Sequence, residues 1–232
     1  MKGFQLIIEG NWAHFKKPET NNNPLTHDFI TKTAFVGLIG SVLGIERDEM
    51  RPLFPQLCSD VLYGVQIVNP IKKESWGFTM RKAVNVMDKA PKYLEFLKKP
   101  KYKISAVLIN TRSEDYFNNF LISIKKNNAK FTPVLGLHNC PANLFYESGG
   151  NFSEKQIGNF STKSFVSRKH VLKLEPGTQF RIGLDRIPTF QDDDFWNIPE
   201  KYVEVIYPSE NREIKLTGEF YQYENGENWW LI

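Results

Sequence analysis

Residues 24–45 read PLTHDFITKTAFVGLIGSVLGI, and the fold turns on how this stretch is read. Phe35, Leu38, Ile39 and Val42 recur at helical spacing and share one face. Thr31 or Thr33 stands where a helix is capped, and Gly44 stands where one stops. Gly37, Gly40 and Gly44 lie three and four residues apart, so they share a face as well. Each interior glycine costs about 1 kcal/mol against alanine. Two features could offset that cost: close packing of the helix on a neighbour, or a backbone surface open to a phosphate chain.

Upstream of this helix, Phe4, Leu6 and Ile8 alternate with Gln5, Ile7 and Glu9, the pattern of a strand with one apolar face. The N-terminal run reads as this first strand and not as a signal peptide. It ends in GNWAHFKKP, residues 10–18. Trp12 and Phe15 offer flat faces on which bases stack, and Lys16 and Lys17 offer charge for phosphates. Residues 19–24 form a polar loop.

Downstream, Pro52 and Pro55 punctuate a connection, and residues 61–68 read as a strand. Residues 104–109 are a further strand. Ser113 is placed to cap a helix whose apolar face is Phe117, Phe120, Leu121 and Ile124. Residues 131–137 read as the next strand. The order strand, helix, strand, excursion, strand, helix, strand is the split βαβ arrangement. It predicts an α+β fold of ferredoxin-like, RRM-like type. The excursion, about residues 71–101, fits either the two arms of a long hairpin or an irregular segment.

Past Gly136 the pattern changes to short strands and turns. Residues 147–163, rich in Gly, Ser and Asn, read as a mobile loop. Pro176-Gly177 signals a turn between residues 171–174 and 179–184. Residues 203–207, 213–216, 219–223 and 228–232 read as strands, with Asn225-Gly226 closing the last pair. Trp229 and Trp230 are expected in the core. The chain thus divides into residues 1–138, carrying the excursion, and a small β-rich region, residues 139–232.

The net charge of +4 on 232 residues is modest until it is located. Residues 71–103 hold ten basic and three acidic residues, a local charge of +7 that leaves −3 for the rest. Lys72, Lys73, Arg81 and Lys82 belong to this block, interleaved with Trp76, Phe78, Tyr93 and Phe96. Such a block is the footprint of a polyanion partner. Arg168 and Lys169 form a second, smaller cluster beside His170. No apolar run reaches the roughly 18 residues of a membrane span. Cys58 and Cys140 lack motif spacing, and a cytoplasmic location is expected. No metal or cofactor motif is present: there is no phosphate loop, GxGxxG, HExxH or GxSxG. Metal-free RNA cleavage would need a base and a cation. His14 or His27 with Lys16 or Lys32 could supply them. The same groups can also hold RNA without cutting it.

GNWAHFKKPET at 10–20, THDFITKTAFVGLIGSVLG at 26–44, YLEFLKKPKYKI at 93–104, TPVLGLHNCPA at 132–142 and the closing ENGENWWLI resemble one family. It is the fifth Cas subunit of type I CRISPR effector complexes, in the RAMP superfamily, and the style is that of type I-B. The family's proline–threonine turn falls at Phe29 to Thr33, where the proline is absent. The resemblance implies a ferredoxin-like domain, an inserted β-hairpin thumb at the excursion and a small C-terminal β region. It implies a non-catalytic Cascade subunit that grips the 5′ handle of the CRISPR guide RNA. Its partners would be the large subunit and the backbone subunits, with target DNA reached only indirectly. Trp12, His14, Lys16, Lys17, His27 and Lys32 would lie near the handle. Lys72, Lys73, Arg81 and Lys82 would contribute from the thumb, and Arg168 and Lys169 from the tail. One branch, in type I-C systems, is itself a metal-independent ribonuclease that processes precursor RNA. Its catalytic tyrosine falls on His27 here, which leaves His14, His27 and Lys32 as the groups for that alternative.

Overall fold

The computed structural model describes residues 1–81, 87, 89–173, 181–194 and 198–232. Its strands and helices, in order, are β1 Lys2–Glu9, β2 Trp12–Ala13, α1 Lys32–Leu43, α2 Arg47–Asp60, β3 Val61–Ile67, β4 Lys73–Arg81, β5 Lys89–Lys98, β6 Lys101–Leu108 and α3 Glu114–Lys125. There follow β7 Asn143–Asn151, β8 Gln156–Thr162, β9 Val166–Ser167, β10 Val171–Lys173, β11 Ile182–Phe190, β12 Lys201–Pro208, β13 Ile214–Gln222 and β14 Asn228–Trp229.

The central sheet runs β3-β6-β1-β7, antiparallel throughout. Phe4, Leu6 and Ile8 pair with Ala106, Ile104 and Tyr102, so these residues share the face on which the helices pack. Phe4 meets Phe117 at 4.9 Å and Phe120 at 5.8 Å, while Phe35 stacks on Tyr63. Fully burying each such ring contributes about 1.5–3 kcal/mol. Helix α1 begins where Thr31 Oγ1 accepts from the Ala34 N–H and ends at Gly44, whose φ of 70° suits glycine. Gly40 faces the Met50 side chain of α2, which supports close packing as the reason for that glycine; Gly37 faces open space.

The other face of the sheet is covered by the chain's own C-terminal end. Val107, Phe152, Tyr221, Tyr223, Trp229 and Leu231 form an apolar cluster there. The outer edge of β3 is also capped, because Tyr63 exchanges backbone hydrogen bonds with Ile232, and Phe165 N–H donates to Val65. Two further sheets, β11-β12-β9 and one built around β13, complete the tail. The larger core cluster runs from Phe4 to Trp230.

Several sequence expectations are corrected. Residues 131–137 are not a strand; the sheet's fourth strand is β7, which lies beyond the boundary drawn at residue 138. Gly136 explains this, since its φ is 90° and a side chain there would collide with the His14 carbonyl. Residues 147–163 are not a mobile loop but most of β7 and β8, because their small polar residues fit half-exposed ladders against β1 and β13. The connection holding Pro52 and Pro55 is helix α2. Interior prolines each cost about 3 kcal/mol, and burial of Met50, Leu53, Phe54, Leu57 and Cys58 offsets them. Ser113 does not cap α3; its hydroxyl donates to Asp60 at 2.6 Å. Residues 213–216 and 219–223 form one strand, β13. The Pro176-Gly177 turn lies outside the described residues, and the strands on either side of it join different sheets.

Candidate RNA interface

Strands β4 and β5 pair as a hairpin from Lys73↔Leu97 to Arg81↔Lys89. Every residue of β4 is exposed. At its base the hairpin is joined to β2 through Trp12↔Lys98 and Ala13↔Leu97. Strand alternation sorts its side chains. One face carries Lys73, Tyr93, Arg81 and Lys89; the other carries Trp76, Phe78, Met80 and Lys92. Trp76, Phe78, Met80 and Tyr93 are exposed, an unusual fate for large apolar groups unless they serve contact. The hairpin base is set by rings: Trp76 lies 4.6 Å from Trp12 and 4.8 Å from Phe96. Lys98 Nζ sits 5.6 Å over the Trp12 ring and pairs with Glu74.

The segments around residues 14–17 and 25–27 lie side by side. Phe15 N–H donates to Thr26 Oγ1, His27 N–H to the Phe15 carbonyl, and Lys17 N–H to the Leu25 carbonyl. His14 and His27 are thereby brought to the same part of the fold, but both are buried. His14 Nδ1 is 2.7 Å from the Glu95 carbonyl, which can only accept, so Nδ1 carries the proton. Burial lowers the His14 pKa, and the Glu95 contact opposes that shift. His27 Nδ1 donates to Asp185 at 2.9 Å, while Nε2 is buried with no partner among the described residues. Lys17 closes the group, with Nζ 2.8 Å from the other Asp185 oxygen. Burial pushes the Asp185 carboxyl up, but His27 and Lys17 outweigh it and hold it below the usual carboxylate range.

Lys16 is exposed and reaches Asn21 at 3.0 Å. Lys32 is not beside the two histidines' partners but inside, next to Cys58 of α2. Burial lowers its pKa to about 8, and burial raises that of Cys58 to about 11. Lys72 is exposed at the foot of the hairpin. Lys73 is tied down between Asp28 at 2.8 Å and Glu95 at 3.1 Å. Arg81 is exposed near the hairpin tip, and Lys82 lies outside the described residues. Arg168 pairs with Glu204 at 3.0 Å, and Lys169 is exposed next to it, away from the hairpin in the tail sheet.

Sequence reading missed the carboxylates Asp28, Glu95 and Asp185. They hold Lys73, Lys17 and His27 from positions up to 168 residues away, and no local spacing announces them. Lys89 and Lys92 of the basic block were legible by charge. Their assignment to opposite faces needed the register of the hairpin.

Among solved structures, a CRISPR protein from Archaeoglobus fulgidus superposes with a TM-score of 0.58 at 11% identity, over 99% of this chain and 98% of that one. A chain of a CRISPR RNA-guided surveillance complex matches with a TM-score of 0.52 at 10% identity, over 93% and 91% of the two chains. A chain of a type III-B Cmr-beta complex bound to cognate target RNA and AMPPnP matches with a TM-score of 0.50 at 7% identity, over 92% and 86%. At these identities the likeness is one of fold. No curated protein matches the chain in sequence. Residues 4–113, from β1 to the start of α3, match the family model described as CRISPR-associated protein (Cas_Cas5). By that match the chain is similar, over residues 4–113, to the CRISPR-associated Cas5 family.

Proposed function

We propose that the chain is a non-catalytic subunit of a type I CRISPR effector complex that holds the 5′ handle of the guide RNA. In this reading the central sheet and its two helix connections are the ferredoxin-like domain, and β4–β5 is the thumb. The observation that carries the proposal is the hairpin itself: an exposed two-stranded arm with cations on both faces and uncovered rings among them. Phosphates meeting Arg81, Lys89 and Lys92 would supply affinity, and splayed bases meeting Phe78 or Tyr93 would supply stacking. The non-catalytic part rests on burial. His14 and His27 are 2% and 1% exposed, so neither imidazole reaches a 2′-hydroxyl without local opening.

Purified protein incubated in EDTA with labelled repeat RNA and with the short 5′ handle tests this. Binding of intact RNA, weakening steeply as salt rises, is the expected result. Site-specific cutting that disappears in His27→Ala would replace this reading with the precursor-processing ribonuclease.

A further inference from the structure

A cleft of about 910 Å³ opens in the tail, on the far side of the sequence from the hairpin. The turn Ser167–His170, Tyr202 and Glu204 of β12, Gly218 and Glu219 of β13, and Trp230 line it. Its floor is rigid. Both ring nitrogens of His170 face backbone carbonyls, Ser167 at 3.1 Å and Glu219 at 2.8 Å, and its ring meets Trp230 edge-on at 5.6 Å. His170 is therefore a wall of the cleft, with no nitrogen left for a ligand.

Tyr202 of the lining carries a flat cation from just outside it. Arg186 lies across the strand pair from Glu204, and its guanidinium sits 4.3 Å from the Tyr202 ring centroid. A guanidinium stacked on a phenol leaves an outer plane on which a nucleobase can lie. Arg186 and Lys169 are exposed, and neither has a carboxylate partner among the described residues. The two carboxylates of the lining are already engaged: Glu204 with Arg168, and Glu219 with Lys155. The Arg168–Glu204 pair is more than half exposed on both sides, so a phosphate can compete for the guanidinium. The loop that follows Lys17 lies near Tyr202 of the lining. Asp185, the partner of Lys17, precedes Arg186, and the charge of Glu19 acts on Tyr202.

We propose that this cleft is a second nucleotide seat, taking one splayed nucleotide of single-stranded RNA. Its phosphate meets Lys169 and Arg168, and its base lies against the Arg186–Tyr202 stack. The proposal rests on the RNA-holding reading above. The exposed Arg186–Tyr202 stack favours a nucleotide over a bare polyanion, since a ring plane gains from a base and not from a phosphate.

The test is anisotropy titration of a labelled, short single-stranded oligocytidylate against wild-type protein, Lys169→Glu, Tyr202→Ala, Tyr202→Phe and the hairpin variant Arg81→Glu/Lys89→Glu. Tyr202→Ala should weaken binding about fivefold or more, while Tyr202→Phe keeps the wild-type affinity. Lys169→Glu should make the salt dependence shallower by about one counterion. Lys169 is exposed, so this variant decides the matter even if Tyr202→Ala unfolds early. Wild-type affinity in both Lys169→Glu and Tyr202→Ala, with the hairpin variant weakened, overturns the second seat and leaves the RNA-holding reading standing. No binding by the wild-type chain overturns both.

Discussion

Lys32 is the residue that free energy argues against most directly. It stands at the first turn of α1 with 5% of its surface exposed, and among the described residues no carboxylate opposes its charge. Its pKa falls to about 8 in the fold, against about 10.4 in an unfolded chain. Below about pH 8 the cation is present in both states and the whole penalty, up to about 3 kcal/mol, burdens the native state. Between the two values the unfolded chain binds more protons, so stability rises with pH, and above about pH 10 the penalty is gone. Lys32→Met should therefore raise the melting temperature at pH 7, with a gain that shrinks by pH 10. Thermal melts across that range check it; an unchanged or lowered melting temperature at pH 7 would mean that the ammonium is satisfied in the fold. Asp185 has the opposite sign. Its folded pKa lies below the ordinary carboxylate value of about 3.9. Its contribution is complete above that value and is lost as the pH falls through the folded pKa. Asp185→Asn should cost roughly 1–3 kcal/mol at pH 7, because the single carboxamide oxygen cannot accept from both His27 and Lys17, and Lys17 loses its counter-ion. Denaturant titrations should show that gap closing below about pH 4. A gap that is constant with pH would contradict the ion-pair account.

Secondary-structure elements differed in how plainly the sequence announced them. Helix α1 was legible because its apolar spacing, its Thr31 cap and its Gly44 stop agree with one another. Helix α2 was not, because two prolines signal a break that the burial of Leu53, Phe54 and Leu57 overrides. Strands β7 and β8 were hidden by a run of Gly, Ser and Asn whose order comes from β1 and β13. The segment 131–137 looked like a strand, but the φ of 90° at Gly136 turns the backbone out of an extended ladder there. The candidate site followed the same division. Residue types and charge put Arg81, Lys89 and Lys92 in view, whereas burial of His14, His27 and Lys32 depends on partners far along the chain. The hairpin is the element that should tolerate change best in folding and worst in function. Arg81 and Lys89 face each other across it and touch no core. Arg81→Glu/Lys89→Glu should leave the unfolding free energy within about 0.5 kcal/mol per site, as read from denaturant melts. A large loss would show that the arm packs on the body.

At the scale of the whole molecule, the C-terminal residues are built into the central sheet. The C-terminal residues cap the edge of β3, and Gly64 of that strand leaves room for them: a Cβ there would lie 2.9 Å from the Trp230 carbonyl and from Leu231. Gly64→Ala should cost about 1–3 kcal/mol, and native-state hydrogen exchange should then rise at Tyr63 and Ile232 first. Unchanged protection at those amides would contradict the docking account. This arrangement also covers the sheet face opposite the helices with Tyr223 and Trp229. The proposed RNA contact is thereby moved off the sheet and onto the projecting hairpin. The most direct test of that claim is the salt dependence of handle-RNA binding, measured side by side for wild-type protein and Arg81→Glu/Lys89→Glu. The account predicts a steep wild-type slope that becomes shallower by about two counterions in the variant, with weaker binding at every salt concentration. Identical slopes and affinities for the two proteins would contradict it and would place the RNA elsewhere on the chain or on its partners.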